Sequence, residues 1–278
     1  MLDIPGEGPQ VDTEQFECEI DASDANGVSG MSYPIQAEQG QNQALLAKLK
    51  RGELVSGESL LDLPNVVLSM DKKIVLPPGL EVRVTTPAGA NRRKLAVVTG
   101  NKPILAVKVF DVNNLAHPHT PAQMSDNIFG TNGDPVNLAS QLNACSMDQL
   151  NIVTDYDSSV STALLSATGV LEVNIGVDLT TNSRATIRNA VTAAVQTKLG
   201  VSLPGPFQQV MYNLQGCYVD CGWAAYAYIN SWNSVYQGNY YYMTGVQVHE
   251  LGHNVSIYNS LLLKVPQKLC SDPFLTHF

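Results

Sequence analysis

The chain has 278 residues, of which 44% are hydrophobic and 15% charged, and it carries a net charge of −9 at pH 7. That apolar fraction excludes wholesale disorder. The acidic balance, with only 16 Lys and Arg, argues against a nucleic-acid partner, because phosphate binding needs clustered cations.

Residues 1–43 are acidic and rich in Gly, Gln and Ser without sustained periodicity, and they read as a loosely ordered lead-in. The first residues offer neither a basic stretch nor an apolar core, so no signal peptide is expected. No run reaches about 18 uninterrupted apolar residues, so no membrane-spanning helix is expected either. Residues 44–52 read as a short helix stopped by Gly52. Short apolar runs at 65–69, 73–76, 80–84 and 95–98 are cut by Pro77-Pro78-Gly79 and Pro87-Ala88-Gly89, which makes 44–102 a small β-rich module.

A second region opens at 103 with a strand at 104–110. His117 and His119 flank a proline in what reads as exposed loop. Residues 185–199 are the clearest amphipathic helix: Ile187, Val191, Ala194, Val195 and Leu199 recur at helical spacing, and Gly200 ends the run. A strand follows at 208–212, then a loop with Cys217 and Cys221, then an aromatic stretch from Trp223 to Trp232 read as core and helix packing. Strands alternating with helices predict an α/β (α+β) fold with helices laid on a sheet. Five cysteines (Cys18, Cys145, Cys217, Cys221 and Cys270) form an odd set, and Cys217 with Cys221 reads as a small disulfide loop of an exported chain.

The segment with chemistry is His249-Glu250-Leu251-Gly252-His253, which fits H-E-x-x-H. Four residues along an α-helix advance about 6 Å and 40°, so His249 and His253 present imidazoles from one face to a single Zn2+. Glu250 is then placed to take a proton from the attacking water as general base. Thr244 and Gln247 match the Thr-x-x-Gln form of a capping box that opens such a helix. The competing reading is that the two histidines are simply packed or solvated. Tyr240 to Met243 reads as cleft wall. Asn254-Val255-Ser256 is formally a glycosylation sequon, read as chance because a glycan beside His253 would block a substrate cleft.

The stretch from Gln209 through Trp223 to Tyr236, closing on His249 to Asn254, resembles the gametolysin family of zinc metallopeptidases, members of the metzincin clan known as algal cell-wall lytic enzymes. Segments 125–131, 136–146 and 169–175 resemble the same family, so the likeness covers about 103–254. It implies a metzincin-like zincin domain preceded by a prodomain, with Arg92-Arg93-Lys94 as a candidate processing site. It also implies an extracellular or wall-associated zinc endopeptidase whose partners are protein or glycoprotein substrates.

Metzincins extend the motif to H-E-x-x-H-x-x-G-x-x-H and follow it with a Met-turn. Here the glycine position holds Ser256, the third-ligand position holds Asn259, and no methionine follows Met243. Asn259 is a weak ligand compared with imidazole, and the other downstream groups of suitable type are His277, Cys270 and Asp272. The likeness stops at Val255, so residues 255–278 read as an unrelated tail, a retained intron being one origin, and the catalytic domain as C-terminally incomplete. Such a chain is expected to hold zinc weakly. The alternative to a peptidase is an inactive metzincin remnant acting as a wall-associated binding or structural protein.

Overall fold

The computed structural model describes residues 16–19, 32–51, 53–54, 59–64, 66–70, 73–85, 99–216, 223–228 and 231–254. The expected strand at 95–98, Arg92 to Lys94, Cys217, Cys221, Cys270, and the whole of 255–278 with Asn259, Asp272 and His277 lie outside them. The chain divides into two units, residues 12–96 and residues 97–278 together with 1–11.

In the smaller unit, β1 (Glu17–Glu19), β2 (Ser32–Gln36), α1 (Gln39–Lys50), β3 (Leu60–Asp62), β4 (Val67–Leu68), β5 (Ile74–Val75) and β6 (Arg83–Thr85) follow in order. Four strands form a sheet in the order β1-β2-β5-β4, and β3 pairs with β6. β1 and β2 fall inside the stretch expected to be a loose lead-in, yet Tyr33 and Ile35 are buried with Leu45, Ile74, Leu76 and Val82. Pro34 between those two side chains disguises the alternation. The helix begins five residues earlier than its apolar run, because Gln41 accepts from the Glu38 backbone N–H at 2.9 Å and donates to Pro77 O at 2.9 Å.

In the larger unit, β7 (Gly100–Phe110) is followed by α2 (Pro121–Phe129), α3 (Leu138–Cys145), β8 (Leu150–Val153), β9 (Val170–Asn174), α4 (Arg184–Leu199), β10 (Gln209–Leu214), β11 (Ala225–Ala227), β12 (Asn233–Gln237), a 3-10 turn at Gly238–Tyr242 and α5 (Thr244–Asn254). The sheet runs β11-β12-β10-β7, with β8 and then β9 along the far side of β7. All pairs are parallel except β11 with β12. Alternation along β7 separates two cores: Leu105, Val107 and Val109 face Ile187, Val191, Val195 and Leu199 of α4, whereas Ile104 and Ala106 face Met124, Ile128, Leu138, Leu142 and Leu251 of the other helices. This is the mixed α/β architecture the sequence predicted, with both sheet faces covered. Caps fix the helix ends. Thr120 Oγ1 accepts from Gln123 N at 3.2 Å, Ser183 Oγ from Thr186 N at 3.2 Å, and Gly130 and Gly200 close α2 and α4 in the left-handed region.

The aromatic stretch supplies the edge strand β11, with Trp223 and Tyr226 in the core. Arg184 and Arg188 of α4 lie over the rings of Tyr226 and Tyr228. No helix of the described residues is long and apolar enough to cross a membrane.

Candidate metal centre

Helix α5 lies on the sheet face of the second core, Leu251 buried and Val246 and Val248 packed beside it. It starts at Thr244, but not through a capping box. Gln247 N bonds to Met243 O at 3.0 Å, Thr244 Oγ1 donates to Val136 O at 3.4 Å, and the Gln247 side chain turns inward. Its Nε2 donates to Asn127 Oδ1 at 2.8 Å and to Tyr241 O. Asn127 in turn donates to Tyr242 O at 3.1 Å. The Thr-x-x-Gln pattern marks the helix start correctly for a different physical reason: long-range partners claim both side chains.

On the next turns the helix brings His249 and His253 together. Their Nε2 atoms stand 3.1 Å apart, with ring planes at 85°. Two imidazole nitrogens bound to one tetrahedral zinc, at about 2.05 Å each, stand about 3.3 Å apart. The observed spacing therefore suits a shared metal, and the donor set of two imidazoles suits zinc. Burial lowers the pKa of both histidines, and for His253, to about 4, the neighbouring His249 adds to the effect. Both rings are thus held in the neutral form that ligates metal.

Glu250 is fully buried on the same helix. Its charge is felt by the hydroxyl of Tyr236 on β12, whose pKa is driven up first by burial and then by Glu250. Asn254, one residue beyond His253, donates through Nδ2 to Tyr228 O and to Asn233 O, both at 2.9 Å. Among the described residues there is no group of three or more His, Cys, Asp or Glu able to hold a metal.

His117 and His119 lie in a loop, as expected, but His117 is buried and His119 half-buried rather than exposed. His117 is 2% exposed, its ring 4.5 Å from that of Tyr241, and its Nε2 is 3.4 Å from Asn239 Oδ1. His119 Nδ1 meets the Tyr241 hydroxyl, and its carbonyl accepts from Lys108 Nζ at 2.8 Å. The proline between them is exposed and makes the segment read as surface, but packing against the turn before α5 buries His117 and half-buries His119. Tyr240 and Met243 line a cavity of about 350 Å³, whereas Tyr241 is a core residue. Cys18 is free and Cys145 is disulfide-bonded.

Sequence reasoning missed Gln247 as a tether and Asn127 altogether, and it met Asn254 only as part of a sequon. Single amide side chains carry no periodic signal, and every partner except Tyr241 lies 21 or more residues away.

The family model described as gametolysin peptidase M11 matches residues 75–261, well over half of the chain. No curated protein and no solved structure matches it.

Proposed function

The chain belongs to the gametolysin peptidase family, and from that premise we propose that it is a zinc metalloendopeptidase cutting proteins or glycoproteins of an extracellular or cell-wall matrix. The observation that carries the reading is the convergence of two imidazole Nε2 atoms, 3.1 Å apart, on a helix whose intervening Glu250 is fully buried. His249 and His253 hold the metal. Zinc, when bound, supplies Lewis-acid polarisation of the scissile carbonyl and lowers the pKa of water toward 7. Glu250 accepts the proton of the attacking water and passes it to the leaving amine, the two transfers that separate a general base from a purely structural carboxylate. Within the same proposal, the larger unit is metzincin-like and the β-rich module before it is a prodomain, with Arg92 to Lys94 as its processing site.

A peptidase assay on a wall glycoprotein extract, with Glu250→Ala as control, tests the reaction. Loss of a general base costs about 10²–10⁴-fold in rate, so the variant should be nearly inert, and activity surviving the substitution would contradict the mechanism.

A second reading, an inactive remnant that binds wall components, is favoured by Ser256 and Asn259 at the positions where the extended motif has Gly and His. It predicts that the unsubstituted chain already lacks peptidase activity while still binding the extract.

A further inference from the structure

Asn254 is 5% exposed at the last described turn of the metal helix. Its Nδ2 carries two hydrogens, and the two acceptors they reach are the carbonyls of Tyr228 and Asn233, at 2.9 Å each. Those carbonyls mark the two ends of the connection between β11 and β12. Tyr228 N closes on Asn233 O at 3.4 Å, and Ser231 N on Tyr228 O at 3.3 Å. One side chain thus fastens the helix turn carrying His253 to the mouth of the edge hairpin. That hairpin also presents Tyr236 to Glu250.

We propose that Asn254 is a positioning residue for the metal centre, locking the His253 turn of α5 to the β11–β12 hairpin. The inference deepens the proposed function and rests on it, since positioning matters only if His253 ligates a metal. Two features set this amide apart from ordinary surface polarity. It spends both of its donors on backbone carbonyls of a single connection, which leaves no rotational freedom to its side chain. It also immediately follows a ligand, so any release of the amide is transmitted to the His253 backbone.

The same geometry disposes of the sequon. The atom that a glycan would occupy is Nδ2, and Nδ2 is buried with both of its hydrogens engaged. Glycosylation and the native seat of α5 exclude one another.

The experiment uses the full chain and Zn2+ alone as probe, with affinity measured by competition against a chromogenic chelator at a temperature where each protein is folded by circular dichroism. The variants are Asn254→Ala, Asn254→Ser and Ser256→Ala, with His249→Ala as the control for the metal reading itself. Removing a group that orients a metal ligand costs about 10–100-fold in metal affinity. Asn254→Ala should therefore weaken zinc by that factor and alter the visible ligand-field bands of the Co2+ form, which a mere loss of stability would leave unchanged. Asn254→Ser, keeping one donor, should fall between, and it carries the test if the alanine variant does not fold. Ser256→Ala destroys the sequon and should change nothing. Zinc affinity and Co2+ spectrum equal to wild type in the folded Asn254 variants would overturn the inference.

If the unsubstituted chain binds no zinc, or binds it as well without His249, the metal reading fails on its own. Asn254 is then judged by hydrogen exchange over residues 225–237 of the metal-free protein. Faster exchange in the Asn254 variants supports the lock, and unchanged exchange overturns it.

Discussion

Replacing Gln247 by Met isolates what its amide does. The two side chains are similar in length and helix propensity, so the substitution leaves the helix and the space it fills nearly unchanged. Gln247 is fully buried, and its Nε2 satisfies Asn127 Oδ1 at 2.8 Å as well as Tyr241 O. Methionine would leave both acceptors facing a thioether. A buried acceptor stripped of its donor costs about 1–3 kcal/mol. Removing the buried Gln247 carbonyl, which has no hydrogen-bond partner among the described residues, returns part of that cost. We therefore expect a net loss of about 2–3 kcal/mol. At about 2–4 °C per kcal/mol for a domain of this size, the melting temperature should fall by about 4–12 °C. The assay is urea unfolding of the metal-free chain followed by tryptophan fluorescence. Both tryptophans, Trp223 and Trp232, lie in the larger unit, so the signal reports the unit that holds α5. A double-mutant cycle with Asn127→Ala should return a coupling of about 1 kcal/mol. A destabilisation below about 0.5 kcal/mol, or a cycle with no coupling, would refute the tether; ordinary surface substitutions already reach that size.

The other expectations concern packing and pH. Gly169 has φ +72°, and a Cβ there would meet the Phe129 ring and the Thr154 methyl at 2.7 Å or less, so Gly169→Ala should cost about 2–5 kcal/mol from left-handed strain plus overpacking; an unchanged urea midpoint would show that α2 yields freely. Burial is the main cause holding His117 below the usual histidine pKa, opposed by its hydrogen bond to Asn239 Oδ1 and reinforced by the charges of His119 and Lys108, and burial also lowers His119. The unfolded chain therefore takes up protons that the folded one resists. Their contribution to stability is fully present above about pH 6.5 and is lost as pH falls below it. Melting temperature should decline from pH 6.5 downward, and His117→Gln should flatten part of that decline; a variant with the same slope as wild type would contradict the placement of His117.

How much was legible follows from the range of each signal. Helix α4 was read to within one residue, because Ile187, Val191, Val195 and Leu199 repeat within the segment itself and a glycine marks its end. β12 has no such signal: Asn233-Ser234-Val235-Tyr236-Gln237 shows no apolar alternation, and its burial comes from its place between β10 and β11, with Asn233 Nδ2 donating to Val210 O and Gln237 Nε2 to Trp223 O. α2 and α3 were passed over as segments of the family resemblance, although Thr120 with Gln123 and Asn137 with Ser140 cap them locally. At the site, the spacing of His249 and His253 sufficed to predict converging imidazoles, because helix geometry alone dictates it. What aims that helix, namely Gln247 at one end, Asn254 at the other and the histidine-tyrosine packing before it, depends on contacts made across the fold and was invisible in the linear pattern.

The central claim is that His249 and His253 share one metal, and zinc titration of the purified full chain tests it most directly. Titrations of the wild type, His249→Ala and His253→Ala, each first stripped with a chelator, should give one zinc per wild-type chain and a loss of that site in either variant. A wild-type chain that takes up no zinc, or variants that bind it as the wild type does, would mean that the two imidazoles merely hydrogen-bond to each other, and the account of the site would fall.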